Sequence, residues 1–149
     1  MPAYRASPAN LIYNCFAISI IGEVTISLRE KFAEQGRRRC GYCLTPETIV
    51  GAPMEIDRLI PESLGGPTEE ENSWLACPIC NLYKSDQIAA LDPETGETIR
   101  LFNPRLQTWN AYFAWSENGE QIGSMTPMGR VTVMALHMNR PTPVRARRL

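Results

Sequence analysis

The chain has 149 residues, a formal net charge of −1, 44% hydrophobic residues and 21% charged residues. This length suits one ordinary domain with a modest core, and this composition excludes an intrinsically disordered chain. The near-neutral charge excludes a global attraction to polyanions, although the arginine clusters at 37–39 and 140–148 could contact phosphate groups or simply be solvated.

The first 24 residues differ from the rest of the chain, because they are apolar and show no clear helical or strand period. We interpret residues 1–24 as a poorly defined extension, upstream of a functional chain that begins near Val24. The segment Leu11–Gly22 is too short for a membrane span and lacks the cleavage pattern of a signal peptide. We therefore expect a cytoplasmic protein that does not bind membranes.

The next segment predicts an amphipathic N-terminal helix. Ser27 and Glu30 have the spacing of a capping box, in which each side chain satisfies a free backbone donor. Leu28 and Phe32 lie on one face, and Gly36 is the predicted terminator.

Two Cys-x-x-Cys pairs are the strongest motif in the sequence; they contain Cys40, Cys43, Cys77 and Cys80. Four thiolates at this spacing are typical of a tetrahedral structural zinc ion. Paired disulfides and redox chemistry remain alternatives, although a cytosolic chain favours metal over disulfides. Cys15 lies outside this set, and we interpret it as a small apolar residue.

Turn residues divide the middle of the chain into short elements. We predict a turn and strand over residues 45–53, a short strand over 54–61 and a loop over 62–72. A helix is predicted from Pro78 to just before Asp92, because proline is allowed in a first helical turn.

The C-terminal third predicts strands over residues 98–102, 109–116 and 121–126, with Asn118-Gly119 as a hairpin turn. Thr126 would cap a final helix whose buried stripe contains Val131, Met134, Ala135 and Met138. We interpret residues 96–140 as an accessory hairpin plus helix packed on the same domain, and residues 141–149 as an extended basic tail.

A further set of residues follows in fixed order: Asp57, Arg58, Pro61, Ser63, Gly65, Gly66, Asn72, Leu75, Asn81 and Lys84. Together with the cysteine pairs, this order resembles the zinc-stapled branch of the HNH endonucleases, which have a ββα-metal fold. The resemblance covers about residues 26–90, and the segment after Thr98 is similar to the accessory region of some small bacterial HNH proteins. It implies an α+β fold with an HNH nuclease-like domain over residues 25–95.

The resemblance also implies metal-dependent hydrolysis of phosphodiester bonds in nucleic acid, with DNA as the expected substrate. Asp57 and Asn81 would bind a catalytic Mg²⁺ or Mn²⁺, because both offer hard oxygen. Asn72 would brace the loop, and Lys84, one helical turn beyond Asn81, would contact a phosphate. Taken alone, Asp57 could be a surface carboxylate, Asn72 a loop cap and Asn81 a helix-start residue.

Arg58 stands where the family carries its general base, a histidine. A guanidinium stays protonated and has no lone pair, so Arg58 cannot take a proton from water. It could instead bind a phosphate or stabilise the transition state, which keeps it among the candidate catalytic residues. His137, the only histidine, lies far along the chain. We expect Glu55 and Glu62 to be exposed rather than metal-ligating.

Three functions therefore compete. The first is an active but slow HNH nuclease, the second a nucleic-acid-binding protein that does not cut, and the third a zinc-stapled protein-interaction module.

Overall fold

The structure is a computed structural model that describes residues 28–148. The extension over residues 1–24 and the capping residue Ser27 lie outside these described residues. The elements in chain order are α1 (28–35), α2 (Glu47–Val50), β1 (Glu55–Arg58), β2 (Ser73–Ala76), α3 (Pro78–Lys84), β3 (Ala89–Leu91), β4 (Thr98–Arg100), β5 (Phe113–Trp115), β6 (Ile122–Ser124), α4 (Pro127–Ala135) and α5 (Pro141–Ala146).

Helices and short antiparallel strand pairs alternate along the chain, which confirms the predicted α+β class. The pairs are β1 with β2, β3 with β4, and β5 with β6. Asp57 of β1 lies opposite Trp74 of β2. Because side chains alternate along a strand, Glu55 and Asp57 share one face of β1, and contacts from Asn81 and Lys84 show that this face meets α3. The unit β1–β2–α3 therefore forms a ββα core.

Helix α1 buries the predicted face, since Phe32 is fully buried and Leu28 packs against the core. Gly36 follows the last helical residue, as expected. The left-handed backbone, however, belongs to Arg37 and Arg38, each with a φ of 53°. Gly36 instead allows close packing, because a Cβ there would lie 3.2 Å from the carbonyl oxygen of Phe32.

Two elements predicted in the middle of the chain are wrong in type or length. Residues 45–53 contain the short helix α2 rather than a strand, because Pro46 precedes its first turn and Gly51 ends it with a φ of 71°. Helix α3 ends at Lys84 instead of reaching Asp92, because Ser85 leaves helical space with a φ of 45°. Residues 89–91 then pair with β4 as a strand.

The predicted extended tail is also wrong, because Pro141–Ala146 forms helix α5. Arg147 holds this end of the chain in place. Its guanidinium donates to the carbonyl oxygens of Glu120 and Met138, each at 2.9 Å, and lies over the ring of Trp115.

The hairpin and final helix of the accessory region are largely as predicted. Gly119 adopts a φ of 70° in the turn between β5 and β6, although residues 109–111 form a 3₁₀ turn rather than strand. The Thr126 hydroxyl accepts from the Gly129 amide at 3.0 Å and caps α4. Val131 and Met138 are buried, but Met134 is 48% exposed, so it does not belong to the predicted stripe.

The accessory region packs directly on the ββα unit and its flanking segments. Trp109 Nε1 donates to the carbonyl oxygen of Tyr42 at 2.8 Å, and the Arg105 guanidinium lies over the ring of Trp74. Arg130 of α4 forms two hydrogen bonds to the buried Asp92. Among residues 28–148, no helix is long and apolar enough to cross a membrane.

Candidate functional site

The four paired cysteines meet at one buried point. Their Sγ atoms all lie within 4.8 Å of one another, and each cysteine is a free thiol. Cys43 Sγ and Cys77 Sγ are 3.9 Å apart. A cluster of four buried thiols has the donor chemistry and the number of ligands of a structural zinc site.

Local structure explains how the two cysteine pairs converge. The Gly41 amide donates to the carbonyl oxygen of Leu75 at 2.9 Å, which fixes the first pair against β2. Residue 41 must be small, since a Cβ there would lie 2.2 Å from the Trp74 ring. Cys77 precedes α3 as its N-cap, and Cys80 lies in its first turn. The cluster therefore joins the segment after α1 to the start of α3.

Asp57 lies at the centre of the ββα unit and is buried. Its Oδ1 is 3.0 Å from Lys84 Nζ, and its Oδ2 accepts a hydrogen bond from the Tyr42 hydroxyl at 2.5 Å. Lys84 Nζ also donates to the carbonyl oxygen of Arg58 at 2.8 Å. Both carboxylate oxygens of Asp57 thus have a protein partner, and Lys84 joins α3 to the end of β1.

Burial and the charge of Lys84 act in opposite directions on the pKa of Asp57. Burial raises the pKa of Asp57 above its ordinary value, while the Lys84 charge and the hydrogen bonds from Tyr42 and Lys84 oppose that rise. Burial, followed by the charge of Asp57, raises the pKa of Tyr42 well above its ordinary value. Tyr42 therefore remains a neutral hydrogen-bond donor to the carboxylate at neutral pH.

Asn81 contacts Glu55, which shares a face of β1 with Asp57. Its Nδ2 donates to Glu55 Oε2 at 2.6 Å, and the Glu55 side chain is exposed, as the sequence suggested. Since a carboxylate only accepts hydrogen bonds, this contact leaves the Asn81 oxygen for another partner. The exposed Glu55 and the half-buried Asn81 therefore offer side-chain oxygens on this face of the unit.

Asn72 clamps the loop between β1 and β2. Its Oδ1 accepts from the Ile60 amide at 2.8 Å, and its Nδ2 donates to the carbonyl oxygens of Ile60 and Pro67, each at 2.9 Å. Gly66 makes this closure possible, because a Cβ there would lie 1.8 Å from the Ile60 oxygen. The loop consequently has a fixed shape beside the end of β1.

Arg58 ends β1 and points toward this loop. Its Nε donates to Thr68 Oγ1 at 2.7 Å, and its Nη1 lies 3.5 Å from Glu62 Oε2. A cleft of about 590 Å³ is lined by residues of the ββα unit and its loop and by residues of the accessory region. Asn72 and Lys84 belong to the first group, and Arg100 and Leu106 to the second.

Residues 40–87 match the family model for HNH endonuclease. The match begins at the first ligand of the cysteine cluster and ends just beyond α3. The matched residues 40–87, called the HNH segment below, make up about a third of the chain. Searches of curated proteins and of solved structures find no match to the chain.

The HNH segment offers donors for two different kinds of metal ion. The cysteine cluster could hold a zinc ion, since soft thiolates in a closed set of four suit it. Asp57, Asn81 and the neighbouring Glu55 supply hard oxygen, which suits Mg²⁺ or Mn²⁺. The ammonium of Lys84 already neutralises Asp57, so a cation at that carboxylate would compete with Lys84.

His137 does not lie beside Arg58 in the HNH segment. It follows α4 in a left-handed conformation with a φ of 48°, and its ring packs against Tyr83 with 4.4 Å between centroids. The side chains that contact the Arg58 guanidinium are Thr68 and Glu62.

The structure brings Asp57, Arg58 and Lys84 together, and it places Asn81 on the same unit through Glu55. Sequence reasoning missed the contacts of Tyr42 and Thr68 and the contact between Glu55 and Asn81. Alternation along β1 could have placed Glu55 beside Asp57. No local pattern marks Tyr42 or Thr68. The contact of Tyr42 depends on how the segment with Cys40 and Cys43 folds, and the contact of Thr68 depends on the folded loop between β1 and β2.

Proposed function

We propose that this chain is an HNH-type endonuclease that hydrolyses nucleic-acid phosphodiester bonds with a divalent cation, and that Arg58 slows it. DNA is the expected substrate. The observation that carries the proposal is the arrangement at the end of β1: Asp57 and Arg58 meet α3 through Lys84, within the family-matched segment. The loop clamped by Asn72 borders the same point.

Two metal sites have different roles in this proposal. Cys40, Cys43, Cys77 and Cys80 would hold zinc, which joins two chain segments and leaves no open position for substrate. Asp57 and Asn81 would hold Mg²⁺ or Mn²⁺, with Glu55 orienting the amide of Asn81. When bound, such an ion acts as a Lewis acid on the phosphate.

The remaining residues bind and position the substrate. Arg58 binds a phosphate through its guanidinium, since it cannot act as a base. The buried contacts of Lys84 favour a positioning role, in which Lys84 holds Asp57 and the Arg58 carbonyl group. Asn72 contributes by fixing the loop, so its effect on catalysis is indirect.

A second candidate is a protein that binds nucleic acid without cutting it. The burial of Asp57, with both oxygens already hydrogen-bonded, favours this alternative. So does the absence of a proton acceptor in the Arg58 side chain.

Nicking of supercoiled plasmid with Mg²⁺ or Mn²⁺ tests the proposal. We expect slow nicking by the wild type that Asp57→Ala and Asn81→Ala both abolish. Asn81→Ala is needed beside Asp57→Ala because Asn81 is less buried than Asp57, so that its replacement perturbs the fold less. Steeply salt-dependent DNA binding without nicking would favour the second candidate, whereas neither activity would favour an interaction module.

Metal analysis of the purified chain tests the zinc site separately. We expect stoichiometric zinc in the wild type and its loss in Cys43→Ser. Chelation should lower the unfolding temperature, because zinc binding free energy contributes to folding. Full stability in the metal-free protein would contradict this role.

A further inference from the structure

The loop between β1 and β2 presents a hydroxyl group to Arg58. Asn72 Nδ2 donates to the carbonyl oxygens of Ile60 and Pro67, which brings the two ends of the loop together. Thr68 directly follows Pro67, so the same clamp fixes the backbone that carries its side chain. Thr68 is itself exposed, which means that its position comes from the loop and not from core packing.

Thr68 Oγ1 accepts a hydrogen bond from Arg58 Nε at 2.7 Å. Nε is the guanidinium nitrogen nearest the aliphatic stem, so this bond fixes the plane of the group. Lys84 Nζ holds the carbonyl oxygen of the same residue at 2.8 Å. Arg58 is thus anchored at its backbone and at Nε, while its side chain remains 37% exposed.

Within residues 28–148, the terminal nitrogens of the Arg58 guanidinium have only a weak partner. Arg58 Nη1 lies 3.5 Å from Glu62 Oε2, and the Glu62 side chain is 81% exposed. Ion pairs of this exposed kind add little, so a phosphate can displace the carboxylate. The two terminal nitrogens form the planar fork that binds phosphate oxygens bidentately.

We propose that Thr68 is a positioning residue, which orients Arg58 so that its terminal fork receives a backbone phosphate of the nucleic acid. The inference rests on the proposed function, since the phosphate belongs to the same substrate. It gives the arginine at the usual base position a defined task in substrate binding.

The test compares Thr68→Val with Thr68→Ser in the full chain, each alone and combined with Arg58→Ala. Valine has nearly the shape of threonine but lacks the acceptor oxygen, whereas serine keeps it. Fluorescence anisotropy measures binding of a short labelled DNA duplex at low salt, without added divalent cation. The ¹⁵N spectrum follows the Nε–H signal of Arg58, which is identified by its loss in Arg58→Ala.

We expect Thr68→Val to weaken duplex binding about three- to tenfold, and Thr68→Ser to bind as the wild type does. The slope of binding against salt should stay unchanged, because Arg58 keeps its charge. In the Arg58→Ala background, valine at residue 68 should have no further effect. The Nε–H signal should shift and broaden in Thr68→Val alone.

Wild-type binding by Thr68→Val would overturn the inference and leave the proposed function standing. An equal loss in the Arg58→Ala background would also overturn it, since Thr68 would then act independently of Arg58. A wild type that fails to bind nucleic acid would instead overturn the proposed function, and the inference with it.

Discussion

The ammonium nitrogen of Lys84 lies 3.0 Å from Oδ1 of Asp57, and each side chain is only 3% exposed. The Tyr42 hydroxyl occupies the other carboxylate oxygen at 2.5 Å. Buried charges are costly unless they are paired and hydrogen-bonded, so this pair stabilises the folded unit relative to either charge alone. Because Asp57 lies on β1 and Lys84 on α3, their ion pair holds together the strand and the helix that carry the candidate site.

Removing one partner of this pair should be strongly destabilising. We expect Lys84→Met to lower the unfolding free energy of the zinc-loaded chain by about 3–5 kcal/mol, because Asp57 is left as a buried charge. Urea unfolding measures the effect. Lys31→Met is the matched control, since Lys31 pairs with Glu70 at the surface, and it should cost about 0–1 kcal/mol.

The double variant Lys84→Met/Asp57→Asn distinguishes pairing from lost packing. It should be markedly more stable than the sum of the two single losses implies. Additive losses would show that the two side chains do not stabilise each other.

Gly66→Ala should distort the clamped loop, because the added methyl group would meet the Ile60 carbonyl oxygen at 1.8 Å. We expect a loss of about 1–3 kcal/mol in unfolding free energy, and weaker DNA binding. Gly123→Ala is the matched control: it adds the same methyl group, and a Cβ at residue 123 would lie 3.6 Å from the Ala114 carbonyl oxygen, in ordinary contact. Equal stability of Gly66→Ala and Gly123→Ala would contradict the close approach of Gly66 to Ile60 that closes the loop.

The Asp92–Arg130 pair predicts a specific loss of stability in acid. Arg130 donates to Asp92 at 2.8 and 2.7 Å and holds the pKa of that carboxyl well below its usual range. A depressed pKa stabilises the fold above the unfolded-state value of about 3.9, and this contribution is lost as pH falls. Between about pH 5 and pH 3, the unfolding free energy should therefore fall less steeply in Asp92→Asn than in the wild type. Equal slopes in urea titrations would exclude this role for Asp92.

The features that could be predicted from the residues are those whose signals are local. The spacing of the cysteine pairs specifies a four-thiol cluster, and the structure brings those thiols within 4.8 Å. Thr126 with Pro127 marks the start of α4, and Asn118-Gly119 marks the hairpin. In each case, a few neighbouring residues suffice to define the backbone geometry.

Three of the failures involve contacts between residues that are distant in sequence. Helix α5 is held by Arg147, whose carbonyl partners lie at Glu120 and Met138. The sequence predicts Lys84 at a phosphate, but the approach of α3 to β1 buries it against Asp57. The contact of Thr68 with Arg58 exists because Asn72 folds the loop. Tertiary packing, rather than local propensity, decides these three positions.

The proposed nuclease function assigns slow cleavage to Arg58. The most direct test compares plasmid nicking by the wild type and Arg58→His with Mg²⁺, at equal zinc content and equal fold by circular dichroism. We expect the histidine variant to nick ~10²–10⁴-fold faster, because a neutral imidazole can take the proton from water, and we expect the addition of Asn81→Ala to remove this gain. A folded, zinc-loaded Arg58→His chain that nicks no faster than the wild type would show that Arg58 does not limit cleavage.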